Sequence, residues 1–228
     1  MAKKGNVRHI KSLSSPTYLN VHKKEYKYTA KAMPGRHSLE RGIPLISFGR
    51  KIGISDSSKY IKRVINTGGI AVNGKTIKQP YYTVGLNDVV DMKDAGKSYI
   101  IGINDRAQID IKEGKEKPAR VCKVVQKYKT KGNSLMIRLH DGEVFKAKDK
   151  GIGVNDSIMI KGTDPSEGKR LKLDVGCKCL IIDGVHVGDL GIVEGIQKGS
   201  DVSKATARIK SGSGAAFDTL LDNIMVVE

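Results

Sequence analysis

Gly69, Gly74, Lys75 and Thr76 have the spacing of a Walker A loop, in which backbone amides cradle nucleotide phosphates and the lysine reaches the outer ones. That chemistry requires a buried strand before the loop and a helix after it, whose N-terminus meets the phosphates. Here the order is reversed. Helical periodicity precedes Gly69, residues 70–72 read as strand inside the would-be loop, and Pro80 interrupts any helix that could follow. Asn73-Gly74 is instead the strongest short signal for a two-residue hairpin turn.

The other residues able to do chemistry are arranged for none. Cys177 and Cys179 lie two apart in a strand-like run and share one face, but no second pair or well-spaced histidine completes a tetrahedral zinc site. With Cys122 they make an odd count, which argues against a disulfide framework and leaves buried thiols as the expectation. His9, His22 and His37 fall in a basic N-terminal stretch, His140 ends a strand and His186 lies in a loop. There is no nucleophile elbow, no His-Glu zinc helix and no dinucleotide glycine pattern after a strand. Neither catalytic residue, metal, cofactor nor small-molecule substrate is expected.

What the chain does carry is positive charge. Its formal net charge is +17, a balance that points to a polyanionic partner, with nucleic acid ahead of an acidic protein or a membrane. Through Lys75 there are sixteen Lys and Arg against the three acids Glu25, Glu40 and Asp56, so +13 of the +17 sits in the first third. No apolar run approaches the roughly 18 residues that cross a bilayer. The basic start, Met1 to Lys11, leads into no signal-type apolar stretch, so a cytoplasmic location without membrane contact is expected.

The elements that must position these cations follow from periodicity. Residues 1–42 mix basic side chains with Tyr18, Tyr26, Tyr28 and prolines and lack either period, which predicts an extended arm that orders only against a partner. From Pro44, a residue favoured in a first turn, Leu45, Phe48, Gly49 and Ile52 recur at helical spacing with Arg50 and Lys51 on the other side. Ser55 or Asp56 could cap a second helix whose apolar stripe is Tyr60, Ile61, Val64 and Ile65 and which Gly68-Gly69 ends. Lys59, Lys62 and Arg63 lie off that stripe, so one helix buries an apolar side and shows a cationic one. The hairpin at Asn73-Gly74 follows, and Val84 to Met92 adds a strand. From Arg106 the pattern changes to short strands separated by turn dipeptides: Arg120 to Tyr128, Leu135 to His140, Val144 to Lys148, Val154 to Lys161. Cys177 to Ile182, Leu190 to Ile196, Thr206 to Lys210 and Ile224 to Val227 could build a second small barrel, with Ser211 to Gly214 as a flexible turn.

Residues Ile43 to Met92, with the helix bearing Lys59, Lys62 and Arg63 and the Val72-Asn73-Gly74-Lys75 turn, resemble the S-four-like RNA-binding domain, and Leu86-Asn87-Asp88-Val89-Val90 resembles its closing strand. Nearly the whole chain resembles the archaeal and eukaryotic S-four-e family of small-subunit ribosomal proteins. The matches are His9-Ile10-Lys11-Ser12-Leu13, Ser15-Pro16, Pro34-Gly35-Arg36-His37, Ile43-Pro44-Leu45, Pro80 through Val90, and Leu139-His140-Asp141-Gly142. Val175 to Ile196, with Gly188 and Gly191, resembles the KOW motif of SH3-like barrels. Asp189 stands where that motif usually carries a basic residue, and Arg36 where the arm motif often has proline.

The resemblance implies an α+β multidomain fold: a basic extension (1–42), an S-four-like domain (43–105), a central barrel-like β domain (106–170) and a KOW barrel (171–228). It implies a structural constituent of the small ribosomal subunit, associated with the ribosome in the cytoplasm, that stabilises small-subunit rRNA beside neighbouring ribosomal proteins. Lys and Arg would neutralise phosphates and release counterions, and Tyr and His would stack on splayed bases. Arg8, Lys11, Arg36, His37, Arg41, Arg50, Lys51, Lys59, Lys62, Arg63, Asn73 and Lys75 are the residues expected to meet RNA. Two rival readings share single modules: an RNA-modifying enzyme of the pseudouridine synthase kind shares the helix-hairpin, and a transcription elongation factor shares the KOW segment.

Overall fold

Asn73 and Gly74 both adopt left-handed backbone (φ 50° and 79°), the geometry a two-residue hairpin turn demands. They join β4 (Ile70–Val72) to β5 (Lys75–Thr76), with Val72 opposite Lys75. The Walker-like spacing is therefore a hairpin. The computed structural model describes residues 7–114, 119–147, 151–200, 204–212 and 214–227. The first six residues of the expected arm and Lys148 of the strand expected over 144–148 lie outside that set. The chain divides into two compact units, the first holding the described residues through Gly102 and again from Gln108 to Gly114, the second holding Ile103–Ala107 and everything from Ala119.

The first unit begins with β1 (His9–Lys11) paired antiparallel to β2 (Tyr28–Ala30). Then come β3 (Gly42–Pro44), α1 (Leu45–Lys51) and α2 (Ser58–Thr67). After the β4–β5 hairpin, β6 (Thr83–Gly85) pairs with β3, and β7 (Val89–Met92), β8 (Lys97–Ile103) and β9 (Ile109–Gly114) complete a sheet of order β5-β4-β7-β8-β9. Ile43, Leu45, Phe48, Ile61, Ile65, Ile70, Val84, Val90 and Ile101 are fully buried between the helices and strands. Each such side chain contributes about 1.5–3 kcal/mol.

Several local expectations are corrected. Pro44 ends β3 and caps α1 in extended conformation instead of entering the first turn. The cap of α2 is Ser57, because Ser55 Oγ accepts the Ser57 amide (3.1 Å) and holds residues 55–57 in a turn before the helix begins. Gly68, left-handed at φ 86°, ends α2 as its sequence position suggested. The described part of the arm packs into the first unit: Tyr18 and Leu19 are buried, Met33 N donates to Tyr81 O (2.9 Å) and Thr83 Oγ1 to Met33 O. Its order comes from three-residue strands and single turns, too short to leave a period in the sequence.

The second unit holds β10 (Arg120–Lys129), β11 (Leu135–Leu139), β12 (Val144–Lys146), β13 (Ser157–Ile160) and β14 (Lys169–Leu171) in the order β12-β11-β10-β13-β14. A second antiparallel sheet, β18-β17-β16-β15-β19, comprises β15 (Lys178–Ile181), β16 (Leu190–Gln197), β17 (Thr206–Ser211), β18 (Ala216–Leu220) and β19 (Ile224–Val226). Each sheet has its own apolar core, around Val124, Ile137 and Ile158 in one and Val193, Ile209 and Ile224 in the other. Cys122 is buried in the first core and Cys179 in the second, with Cys177 packed against it. β18 has no counterpart among the expected strands; the turn expected at Ser211 to Gly214 is where β17 passes to β18, Gly214 N donating to Ser211 O (2.9 Å), with Ser213 outside the described residues.

Candidate RNA-binding surface

The helix pair is set by a close crossing. A Cβ added to Gly49 would lie 2.9 Å from Ile61 Cγ2, so only glycine lets α1 approach α2 this nearly. Arg50 then donates to Ser58 Oγ (2.6 Å), tying the end of α1 to the start of α2. With Ile61 and Ile65 fully buried, the rotation of α2 is fixed, and residues about 100° away per step must face outward. Lys59 and Arg63 are exposed and Lys62 is half-buried. Tyr60, placed by sequence in the apolar stripe, is 54% exposed; it shares the flank of Lys59 and Arg63 and adds an aromatic ring to the cationic face.

A buried knot supports this face. Asp88 Oδ2 accepts from His37 Nε2 (2.7 Å) and from the Gly85 amide (3.0 Å), while Oδ1 accepts from Asn73 Nδ2 (2.7 Å). Asn73 Oδ1 accepts from the Val89 amide (3.0 Å). Burial alone would raise the Asp88 carboxyl. The His37 hydrogen bond and charge, the Arg36 charge and the Asn73 amide outweigh that effect and hold it at about 2. His37 and Asn73, both expected at the RNA surface, are corrected: each is buried and turned toward Asp88. With His37 Nε2 and Asn73 Nδ2 both engaged by Asp88, the two side chains tie the arm and the hairpin turn to one interior carboxylate.

The expected cations divide by location. Arg8 just before β1, Arg50 from α1 and Lys62 from α2 converge on an open cleft of ≈ 200 Å³, lined also by His9, Tyr28, Ser47, Ser58 and Tyr81. The Arg8 guanidinium lies 5.9 Å and Lys62 Nζ 5.6 Å from the Tyr81 ring centroid. Lys11, Arg41, Lys51, Lys59, Arg63 and Lys75 are exposed but do not line it. Arg36 is half-buried, with its charge acting on Asp88. Tyr60 and Tyr81 were missed. The first carried a usable signal, being interleaved with Lys59, Lys62 and Arg63. Tyr81 carried none, since the fold alone brings it beside Arg8.

In the second unit the motif glycines have steric reasons. A Cβ on Gly188, left-handed at φ 89°, would meet the Asn104 carbonyl carbon at 2.8 Å, and one on Gly191 would meet Ile209 Cγ2 at 2.4 Å. His186 stacks on Phe217 (centroids 3.8 Å apart) beside this loop.

Comparison with known proteins agrees along the chain. The S4 domain family model matches residues 44–90, and that of ribosomal family S4e matches residues 95–164. Small ribosomal subunit protein eS4 of Methanothermobacter thermautotrophicus is 30% identical over 230 residues, covering 100% of this chain and 95% of its own length. That of Methanocaldococcus jannaschii is 28% identical over 236 residues, covering 100% and 96%. The crystal structure of the 30S ribosomal protein S4e from Thermoplasma acidophilum superposes with a TM-score of 0.69 at 26% identity, covering 82% of this chain and 95% of that one. On this full-length similarity, the chain belongs to the eS4 family of small ribosomal subunit proteins.

Proposed function

We propose that the protein is a structural constituent of the small ribosomal subunit that grips folded small-subunit rRNA through the cationic face of its first unit. The observation that carries this is α2, whose buried Ile61 and Ile65 oblige Lys59 and Arg63 to face solvent beside Tyr60. Phosphate contacts of this kind position RNA without reading its sequence, so specificity comes from the fit of the whole surface to a folded RNA. Arg8, Lys11, Arg36, Arg41, Arg50, Lys51, Lys59, Lys62, Arg63 and Lys75 are the proposed RNA contacts, with His37 and Asn73 as supports.

The finer division into an arm (1–42), an S4 domain (43–105), a central β domain (106–170) and a KOW barrel (171–228) is part of the same proposal. The two separate apolar cores of the second unit favour it. Neighbouring ribosomal proteins would meet the more nearly neutral C-terminal half, in the cytoplasm. The chain makes and breaks no bond in this role. The rival readings, an RNA-modifying enzyme or an elongation factor, find no support, since relatives matched over 95% and 96% of their own length are ribosomal.

The test is sucrose-gradient fractionation of a lysate containing the tagged protein. Near-stoichiometric migration with the small subunit through a moderate-salt wash is the expected result. Migration at the top of the gradient, or with RNA polymerase, would overturn it.

A further inference from the structure

We infer that the cleft between the β1–β2 hairpin and the helix pair holds a single unpaired nucleotide of the RNA, its base against Tyr81 and its phosphate between Arg8, Arg50 and Lys62. The inference rests on the proposed function and sharpens it, because it separates one recess from the general cationic surface.

Three cations arrive from separate parts of the chain, Arg8 just before β1, Arg50 in α1 and Lys62 in α2, and none of the residues lining the cleft is acidic. A solvated charged face would intersperse signs; this recess has one sign and two tyrosines. Tyr81 lies under both Arg8 and Lys62, so a base stacked on it has cations in reach of its phosphate. Tyr28, 48% exposed and edge-on to His9 at 4.9 Å, supplies a second ring on the opposite, hairpin-built wall. Hydroxyls of Ser47 and Ser58 offer polar contacts to sugar or base.

Size and shape select the ligand. At ≈ 200 Å³ the cleft is smaller than the roughly 300 Å³ at which small-molecule sites begin, so it suits one unit of a polymer whose remainder lies outside. A base paired within an A-form helix cannot reach an aromatic ring in a recess. Only one splayed out of the stack can do so. Lys59, Tyr60 and Arg63, on the exposed flank of α2, are left to follow the adjoining backbone.

The experiment titrates the full-length protein into two labelled RNAs by fluorescence anisotropy: a mixed-sequence duplex, and the same duplex with one unpaired uridine. The bulged RNA is expected to bind roughly tenfold more tightly, the scale of one base–aromatic stack. Tyr81→Leu and Arg8→Gln, made separately, are expected to remove most of that preference, weakening the bulged RNA several-fold more than the duplex. Arg8 is exposed, so Arg8→Gln keeps the test valid even where Tyr81→Leu disturbs packing. Equal binding of both RNAs, or equal loss on both in the variants, overturns this inference while the proposed function stands. Failure of the wild type to bind either RNA overturns both. Uridine monophosphate and inorganic phosphate are expected to compete weakly; displacement of the bulged RNA at equal concentration would assign the cleft to a free nucleotide and overturn the RNA assignment.

Discussion

His37 Nε2 and Asp88 Oδ2 lie 2.7 Å apart with both residues buried, joining residues 51 positions distant in sequence. Through this pair the N-terminal segment becomes part of the first unit, and through the other Asp88 oxygen the β4–β5 turn is held as well. Removing the acceptor takes this partner from the interior imidazole Nε2 and from the Asn73 side-chain NH2 group. Asp88→Ala is expected to lower stability by about 3–5 kcal/mol, read by denaturant unfolding, and to speed proteolysis of the first 40 or so residues as the local anchor is lost.

The same carboxylate sets an acid limit. Its ordinary value of 3.8 is depressed to about 2 on folding, so the unfolded chain takes up this proton first as pH falls. The stabilisation is complete above the unfolded value and is lost as pH drops from about 4 through 2, roughly 2 kcal/mol in all. Acid unfolding of the wild type compared with Asp88→Ala is expected to show that slope in the wild type and not in the variant.

Gly85 packs against the imidazole: a Cβ there would sit 2.5 Å from His37 Nδ1. Gly85→Ala is expected to push the ring off Asp88 and cost about 1–3 kcal/mol, measured by thermal melting. The loss should largely vanish in a His37→Ala background, where space for the methyl exists.

Lys123, 3% exposed, donates to the carbonyls of Leu221 (2.6 Å) and Asp222 (2.9 Å). Burial lowers its ammonium to about 8 from 10.5, partly opposed by Asp222. Here the folded state releases its proton before the unfolded state does. Stability should therefore rise with pH between about 8 and 10.5, by on the order of 3 kcal/mol. Lys123→Met is expected to abolish that rise in urea unfolding followed across the window.

The hairpin turn, the glycine stop of α2 and the cationic flank of that helix were legible in the sequence, because each is written in consecutive or i, i+4 residues. The Asp88 knot was not. Its members at 37, 73, 85 and 88 give no local period, and a histidine and an asparagine in a basic segment look available for RNA until the fold turns them inward. Tyr60 was misassigned because a four-residue apolar stripe is one residue wider than the buried face of α2. The ordering of residues 7–42 was missed because its interior contacts rest on Tyr18, Leu19 and His37, isolated in an otherwise polar stretch.

The central claim, that the outward flank of α2 meets RNA phosphates, is tested most directly by the salt dependence of binding to purified small-subunit rRNA. The comparison is between the wild type and a Lys59→Ala, Lys62→Ala, Arg63→Ala variant, none of whose altered residues is buried. Loss of three phosphate contacts is predicted to flatten the slope of log affinity against log salt by about 2, at roughly 0.7–0.9 per contact, with the melting temperature nearly unchanged. An unchanged slope would contradict the account and move the RNA surface elsewhere on the protein.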